Sequence, residues 1–388
     1  MNVCFETFGC RLNRAEALAE EAKFVACGHK IVTDHSAADL IVIRGCSVTA
    51  RAQRDCEKLI EHLKSKYPNK PLVAEGCLAV KISSVDRFLR NAANVPEDPL
   101  PTRTARAYLK VQDGCSGQCS FCVVPKFRGK SSSVDFTAVT DRAKRFIDAG
   151  YHEIVVTGCN LSLYASQGKR LPELLGALAD LSPDCRIRLG SLEPSAVAAE
   201  TVRTVAERAN ICRFLHIPVQ SGSNGVLRSM NRPYTAEIVS ELAREAVRLM
   251  PDVALGCDLI AGFPGESNLD HLATKGLISR LGFAKAHVFP YSKRPGTPAA
   301  NLPGTVTDEL RHARAHELSK LADEQRTRFA KSFIGKTVEI VVEDNRHCIG
   351  WTSEYLWCEC PGGNIPRKSI ARVRILSAQG HVLTGKVI

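Results

Sequence analysis

The sequence predicts an α/β protein in three parts: an N-terminal parallel α/β sheet domain, a central partial (β/α)6 barrel and a small C-terminal antiparallel β-barrel. Two observations support this fold class. Short apolar runs alternate with helix-forming stretches along most of the chain, which implies parallel strands joined by right-handed crossovers. After Phe333 the pattern changes to short strands separated by Gly, Asn and Pro. We therefore expect three domains, at 1–100, 101–332 and 333–388.

The N-terminal domain is predicted from three short strands rich in Val and Ile. These strands are expected at 3–8, 39–44 and 71–75. Helix-forming residues at helical spacing occupy 13–27 and 49–67, between the strands. The Pro-rich segment NVPEDPLPTRT, residues 94–104, breaks both periodicities, and we interpret it as a linker.

The central domain is predicted from six further strands with helical segments between most of them. The strands are expected at 107–112, 153–158, 186–190, 214–219, 253–262 and 284–291. The helices are expected at 135–149, 172–181, 195–208, 235–249 and 268–281, followed by a charged helix at 307–332. Six β/α units indicate an open or closed barrel, and such barrels carry their chemistry at the C-terminal ends of the strands.

The C-terminal segment is predicted to be a small antiparallel barrel. Its short strands are expected at 337–344, 347–353, 355–360, 371–376 and 381–388. So many short strands with turn residues between them are typical of this architecture.

Composition narrows the class of protein. With 44% hydrophobic and 24% charged residues in 388, the chain has the composition of a globular domain protein. No apolar run reaches transmembrane length, and MNVCFETFGC lacks the features of a signal peptide, so we expect a cytoplasmic protein without membrane association. Its sixteen cysteines are then expected to bind metal, catalyse or pack rather than form disulfides. The net charge of +11 weakly favours a polyanionic partner.

Three cysteines lie close together in VQDGCSGQCSFC, at Cys115, Cys119 and Cys122. Zinc ribbons pair one CxxC with a second one downstream, and no such pair follows here. Three thiolates from one loop can hold three irons of a cubane [4Fe–4S] cluster and leave the fourth iron open. The alternatives are a zinc site or three unrelated thiols.

A second set of cysteines is dispersed in the sequence. Cys10, Cys46 and Cys77 each follow one of the N-terminal strands, and each is preceded by Gly, which allows close approach of the backbone to a bulky ligand. Because the carboxyl ends of parallel strands share one edge, we expect the three thiols to converge on a metal. The alternative is three buried packing cysteines.

The loop CSGQCSFC resembles the cluster loop of radical S-adenosylmethionine (SAM) enzymes. In those enzymes SAM binds the open iron, and an electron from the cluster cleaves it to a deoxyadenosyl radical. The resemblance implies that Phe121 lies against the adenine of SAM. Four strand-end positions are suited to further SAM contacts, with turns and caps as equal alternatives. They are Gly158, Asn160, Glu193 and Gln220.

Motifs along nearly the whole chain are similar to those of the methylthiotransferases, radical SAM enzymes that insert sulfur and add a methyl group. Examples are FGCRLNRAE, CSVTARA, EGCLA, RIRLGSLEPS and FLHIPVQSGSNGVLRSMNRPYT. The resemblance implies two [4Fe–4S] clusters, the N-terminal one delivering sulfur and the loop cluster reducing SAM. It also implies an electron donor such as flavodoxin or ferredoxin, and it identifies 333–388 with the OB-like TRAM domain associated with RNA binding. The sequence identifies neither a sulfur donor nor a catalytic acid or base.

The substrate is suggested by GCRLN, which is most similar to the motif of the branch that modifies threonylcarbamoyladenosine in tRNA; HVFPYSKRPGTPA points the same way. This implies methylthiolation of C2 of the adenosine at position 37, in the anticodon stem-loop. The alternatives are isopentenyladenosine in tRNA, a ribosomal protein, or a zinc-dependent RNA-binding protein. Residues 326–388 contain ten Lys or Arg and five Asp or Glu, in agreement with RNA. Trp351, Tyr355 and Trp357 could stack on bases or form barrel core.

Several further residues either have two possible roles or differ from the pattern of the family. Arg128 and Lys130, just after the cluster loop, could contact tRNA or SAM, or lie in a solvated basic loop. Arg44 and Gly45 stand where the family resemblance predicts Asn and Thr, and Cys159 stands where Val is usual. In addition, Asp258 lies inside an apolar run, where its charge needs a partner.

Overall fold

The computed structural model describes residues 1–78, 82, 85, 88, 100, 101, 103–344 and 346–388. Most of the predicted linker at 94–104 lies outside this set, and the domain boundaries stay predictions. Among the described residues, no helix combines the length and apolar character that crossing a membrane requires.

The N-terminal domain is a four-stranded parallel sheet in the order β2-β1-β3-β4. Its elements are β1 (Asn2–Thr7), α1 (Arg11–Ala26), β2 (Lys30–Val32), β3 (Leu40–Cys46), α2 (Ala50–Lys66) and β4 (Leu72–Cys77). The sequence predicted three of these strands but not β2, a three-residue edge strand with no fully buried side chain. Apolar side chains line both faces, with Ile41 and Ile43 on one and Leu40 and Val42 on the other, as expected for a parallel sheet covered on both sides.

The central domain contains the six predicted parallel strands. In chain order its strands are β5 (Ala107–Lys110), β6 (Gln112–Asp113), β7 (Ser132–Ser133), β8 (Glu153–Thr157), β9 (Ala165–Ser166), β10 (Lys169–Arg170), β11 (Arg186–Leu189), β12 (Phe214–Gln220), β13 (Ala254–Ala261) and β14 (Lys285–Pro290). The sheets β5-β8-β11 and β12-β13-β14 are joined by a parallel bridge between Ser191 and His216. The six-unit partial barrel is thereby confirmed. β6–β7 and β9–β10 are short antiparallel pairs in the connecting loops.

The central domain has eight helices among the residues that the structure describes, and the longer ones pack apolar side chains against the strands. The eight helices are α3 (Val124–Arg128), α4 (Phe136–Asp148), α5 (Leu171–Asp180), α6 (Ala196–Glu207), α7 (Asn224–Ser229), α8 (Ala236–Leu249), α9 (Asn268–Leu281) and α10 (Asp308–Lys331). Six of them begin after a Ser, Thr or Asp whose side chain accepts a backbone N–H of the first turn, and this explains why the starts of five of these, all but α7, were predictable. The sequence did not predict α3 and α7, which are too short to show helical periodicity.

The C-terminal domain is a closed five-stranded barrel in the order β15-β16-β17-β19-β18. Its strands are β15 (Thr337–Asp344), β16 (Ile349–Thr352), β17 (Trp357–Glu359), β18 (Ile370–Gln379) and β19 (Val382–Val387). The predicted antiparallel barrel needs one correction, because β17 and β19 pair in parallel. The parallel pair follows from closure of the barrel. β19 forms a hairpin with β18 and runs antiparallel to it. The strand whose free edge β19 then meets is β17, which runs in the same direction as β19.

Buried ion pairs attach this small barrel to the base of the central one. Glu153 and Arg186 begin β8 and β11, at the end opposite the predicted chemistry, and Arg188 donates to Glu153 over 2.7 Å. Arg186 also donates to the carbonyl oxygen of Glu339, and Arg188 to that of Thr352. Burial would raise the pKa of Glu153, but the two arginines hold it below its ordinary value. The carboxylate therefore stays ionised and fixes both guanidinium groups toward the C-terminal barrel.

Candidate active site: two cysteine triads

The loop triad begins directly after β6, beyond the C-terminal end of β5. Gly114 has a φ of +64°, and a Cβ there would lie 2.1 Å from the carbonyl oxygen of Lys130, so the loop requires glycine at its start. The backbone N–H of Gly117 points to Cys115 Sγ over 3.3 Å, and that of Val124 points to Cys122 Sγ over 3.4 Å. The loop therefore directs amide dipoles at two of its three sulfurs, as iron–sulfur loops do.

The dispersed triad is brought together at one edge of the N-terminal sheet. Cys10 precedes α1, while Cys46 and Cys77 end β3 and β4 and lie opposite each other in register. Gly9 has a φ of +95°, and a Cβ there would lie 2.7 Å from Cys46 Cβ. The glycine before Cys10 is thus required by close contact between strand ends, as the sequence suggested.

Burial raises the pKa of thiols in both triads, and two arginines oppose it. Burial raises the pKa of Cys122 to about 11 and also raises that of Cys77 and Cys119. Arg128 lowers the pKa of Cys77 and Arg232 lowers that of Cys119, without cancelling the effect of burial. As free thiols these groups are protonated, so binding of a metal by thiolates must release protons.

The sulfurs of each triad, as they stand, are too widely spaced for all three to bind a single zinc ion. Over the residues that the structure describes, neither triad has all three Sγ atoms within 4.8 Å of one another. Tetrahedral zinc, with Zn–S of 2.3 Å, would need sulfurs about 3.8 Å apart. A cubane binds each thiolate to a different iron and accepts a wider triangle.

Asn160 and Glu193 meet beside the loop triad through Arg232, which the sequence did not single out. The Asn160 side-chain amide donates to Glu193, and the Arg232 guanidinium lies 2.7 Å from Glu193 Oε1 and donates to Cys119 Sγ over 2.8 Å. Gly158 approaches Gln112, whose Oε1 would be 2.7 Å from a Cβ at Gly158. The arginine follows α7 in the motif MNRPYT, and no spacing rule connects it to a cysteine 113 residues earlier.

Phe121, within the loop triad, and Gln220, at the end of β12, both occupy constrained positions. Phe121 packs edge-on against Phe263 with ring centroids 6.4 Å apart, so its ring is held beside Cys122. Gln220 ends β12 at an irregularity in the register and has a φ of +67°. A residue other than glycine is strained in this left-handed region of backbone conformation, and such strain often occurs at functional sites.

Arg128 lies between the two domains rather than in a basic loop facing solvent. Its Nε donates to Cys77 Sγ over 2.9 Å, and its terminal nitrogens bond Glu16 and Asp113. Its side chain is 8% exposed. All of its donors bond protein groups of the two domains, whereas Lys130 is exposed.

A second arginine that the sequence did not single out also joins these domains. Arg294, in the loop after β14, donates to the carbonyl oxygen of Ser47 and to Gln53 Oε1 over 2.7 Å. The first of these acceptors is next to Cys46. The barrel therefore holds the N-terminal triad from two sides.

The unusual residues noted in the sequence have partners. Arg44 pairs with Glu16 and Glu20, so the charge at this position is neutralised within the N-terminal domain. Burial raises the pKa of Cys159 to about 12, and its thiol donates to Asp113 over 3.7 Å, as expected for an unreactive neighbour. Asp258 lies 3.0 Å from His216 Nε2 and has its partner there.

The three aromatic residues suggested for base stacking lie at a domain interface. Trp351 stacks on Tyr355 with ring centroids 4.5 Å apart, and Trp357 meets Trp351 edge-on at 4.9 Å. The Arg11 guanidinium lies 4.8 Å from the ring of Tyr355. All three line a cavity of about 640 Å³ whose wall includes Cys10. They therefore face a cavity beside the N-terminal triad.

Known proteins agree with this architecture. The family model described as "Radical SAM superfamily" matches residues 109–277, and "Uncharacterized protein family UPF0004" matches residues 2–93. The radical SAM methyltransferase TsrM from Kitasatospora setae superimposes with a TM-score of 0.54 at 14% identity, covering 77% of this chain and 75% of that one, which shows a shared fold. The fold and the loop triad define a radical SAM protein, for which SAM and a [4Fe–4S] cluster are the cofactors.

Relatives that align with most of the chain identify the family within the radical SAM proteins. "Threonylcarbamoyladenosine tRNA methylthiotransferase MtaB" of Bacillus subtilis is 30% identical over 97% of this chain and 94% of its own length. The protein of the same name from Aquifex aeolicus is 31% identical over 89% and 94%. "tRNA-2-methylthio-N(6)-dimethylallyladenosine synthase" of Pelodictyon phaeoclathratiforme is 31% identical over 98% and 97%. This chain belongs to the radical SAM methylthiotransferase family, which confirms the resemblance stated from its motifs.

Proposed function

We propose that this protein adds a methylthio group to C2 of N6-threonylcarbamoyladenosine at position 37 of tRNA. The observation that carries the proposal is the convergence of two glycine-flanked cysteine triads on one domain interface. Cys77 of one triad and Asp113, two residues before Cys115 of the other, bind the same guanidinium. Sulfur insertion needs a sulfur-carrying site and a radical-generating site close together, and two neighbouring cysteine triads support this proposal.

Two [4Fe–4S] clusters are part of the proposal. Cys115, Cys119 and Cys122 would hold the cluster that binds SAM, and Cys10, Cys46 and Cys77 would hold the second. With an electron from a flavodoxin or ferredoxin, the bound groups supply the sulfur, the methyl group and the radical needed for the reaction.

The residues around the loop triad would bind and orient SAM. Asn160 and Glu193 provide an amide and a carboxylate beside Cys119, and Arg232 fixes that carboxylate at 2.7 Å. Phe121, held by Phe263, would lie along the adenine. Gly158 and Gln220 complete the strand-end contacts, where a small residue and an amide suit the ribose and the methionine part of SAM.

The C-terminal barrel offers an exposed basic strip for RNA. Arg374 of β18 lies opposite Lys386 of β19, and Arg372 is two residues away on the same face. All three are exposed. Basic side chains on one face bind phosphates without sequence preference. A tRNA substrate also agrees with the cytoplasmic location expected from the sequence.

The threonylcarbamoyl substrate is tested by nucleoside mass spectrometry of tRNA from a strain that lacks the gene. We expect methylthiolated threonylcarbamoyladenosine to disappear while the unmodified nucleoside accumulates, and a plasmid copy to restore it. Persistence of the methylthio form, in a strain with no second gene of this family, would overturn the substrate assignment.

Dimethylallyladenosine is the second candidate, because relatives named for it reach 31% identity. The same chromatogram separates the two. Loss of the methylthio group from dimethylallyladenosine alone would identify this substrate and replace the first proposal.

A further inference from the structure

Arg128 uses every hydrogen-bond donor that it has. An arginine side chain carries five N–H groups in a planar fork. Here the five bonds run from Nε to Cys77 Sγ (2.9 Å), from one terminal nitrogen to Glu16 (2.9 Å) and Asp113 (3.0 Å), and from the other to Asn13 (2.6 Å) and Glu16 (3.0 Å). Such saturation fixes the guanidinium in both position and orientation.

The partners of Arg128 belong to both domains. Asn13, Glu16 and Cys77 lie in the N-terminal domain, whereas Asp113 precedes the loop triad and α3, which carries Arg128, follows it. On one side, the Asn13 side-chain amide also donates to Phe8 and Gly45 carbonyl oxygens, at the strand ends that carry Cys10 and Cys46.

On the barrel side, Asp113 accepts the backbone N–H of Gly114 over 2.7 Å, next to Cys115. The same guanidinium therefore contacts the supports of both triads.

The charge of Arg128 also acts directly on one triad. Its Nε is 2.9 Å from Cys77 Sγ, in a site where the side chain is 8% exposed and poorly screened by solvent. Glu16 and Asp113 carry two negative charges against this one, and Lys110 binds both carboxylates, at 2.7 Å and 2.6 Å, so the four groups are neutral overall while the positive charge nearest the sulfur is that of Arg128. A cluster gains negative charge on reduction, so an N–H donor and a positive charge at its thiolate favour the reduced form.

We propose that Arg128 is a positioning residue that fixes the separation of the two cluster sites and raises the reduction potential of the N-terminal cluster. This inference rests on the proposed function, because it needs a cluster at Cys10, Cys46 and Cys77. It assigns different tasks to the two halves of the guanidinium: Nε acts on the sulfur, and the terminal nitrogens hold the domains together.

The test uses the full chain, purified without oxygen and reconstituted with iron and sulfide, as wild type and as the Arg128→Met, Arg128→Lys and Asp113→Asn variants. Arg51→Met is the control, since that arginine lies in the domain that carries Cys10, Cys46 and Cys77 and its side chain is 89% exposed. Iron and sulfide are counted first. The potential of the N-terminal cluster is then followed by electron paramagnetic resonance in a background in which the three loop cysteines are alanine.

For Arg128→Met, we expect the ratio of reduced to oxidised N-terminal cluster at a fixed solution potential to fall about tenfold, which corresponds to 59 mV for a one-electron couple. Arg128→Lys should give a smaller fall, because its charge remains while the N–H···S bond is lost. The control should keep the wild-type ratio. An unchanged ratio in Arg128→Met, or in Arg128→Lys if the Met variant does not fold, refutes the effect on potential.

The positioning role is tested by measuring the spin–spin coupling between the two reduced clusters by electron paramagnetic resonance. This measurement uses the chain in which the six cysteines of both triads are intact. Asp113→Asn should weaken this coupling, because it loses the charged contact on the barrel side while the bond to Cys77 remains. Unchanged coupling would refute the positioning role. A wild-type protein that binds about four irons, rather than the eight of two cubanes, would instead refute the proposed function itself.

Discussion

Replacing Gly9 by alanine should remove one cluster and leave the other intact. Gly9 has a φ of +95°, and its new Cβ would lie 2.7 Å from Cys46 Cβ and 2.8 Å from Cys46 Sγ. Carbon atoms pack best about 3.5–4.0 Å apart, so the strand ends that carry Cys10 and Cys46 must separate by about 0.8 Å or more. A triad displaced by this amount no longer matches a rigid cubane.

Gly28→Ala is the matched control, because it separates backbone strain from this contact. Gly28 has a φ of +80°, and nothing lies within 4 Å of its added Cβ. Both substitutions should cost about 1–2 kcal/mol for the left-handed backbone. Gly9→Ala should cost a further 1–3 kcal/mol or so for overpacking. Denaturant unfolding of the protein without metal measures this difference in the free energy of unfolding.

The decisive assay is the iron count after anaerobic reconstitution. We expect about eight irons per chain for wild type and Gly28→Ala and about four for Gly9→Ala, with SAM cleavage retained in all three. Eight irons in Gly9→Ala would show that the contact between Gly9 and Cys46 does not control the N-terminal cluster. Four irons in Gly28→Ala would show that backbone strain alone explains the loss.

Three further predictions concern the clusters, the domain interface and RNA. Cys119→Ala should abolish SAM cleavage, whereas Cys46→Ala should retain cleavage and lose sulfur insertion; equal loss of both activities in a folded Cys46→Ala protein would contradict this division. Arg188→Met should lower the free energy of unfolding by about 3–5 kcal/mol, because it leaves Glu153 buried with one partner fewer. Acid unfolding of this variant should begin at higher pH, because the lowered pKa of the Glu153 carboxyl stabilises the fold only while that carboxyl is ionised. A loss below 1 kcal/mol would mean that the pair is not important for stability. Arg374→Ala should reduce the slope of log affinity for tRNA against log salt by about 0.7–0.9, measured by filter binding, and an unchanged slope would exclude a phosphate contact there.

The sequence predicted most of the strands and helices because their signals are local. β13 was expected at 253–262 and runs Ala254–Ala261, and α9 has the bounds expected of it. An apolar run or a Ser N-cap is sufficient evidence for such elements. The strand β2 escaped because three residues without a buried side chain give no pattern. The parallel pair β17–β19 escaped because it depends on how the chain closes in space.

The candidate site likewise has features that the sequence predicted and features that it did not. The convergence of Cys10, Cys46 and Cys77 was expected because strand topology alone brings such positions together. Arg128 and Arg232 were not assigned to the triads, because an arginine reaches its partner through a long flexible side chain from an unrelated part of the chain. Neither sulfur contact, to Cys77 or to Cys119, follows from any sequence spacing.

The attachment of the C-terminal barrel has a consequence for its evolution. Arg186 and Arg188 donate hydrogen bonds to main-chain oxygens of that domain, among them those of Glu339, Thr352 and Ser353. Main-chain groups are the same whatever side chain is present, so this attachment depends on the path of the backbone more than on the identity of the residues along it. The exposed surface of the small barrel can therefore change while its attachment to the central barrel stays the same.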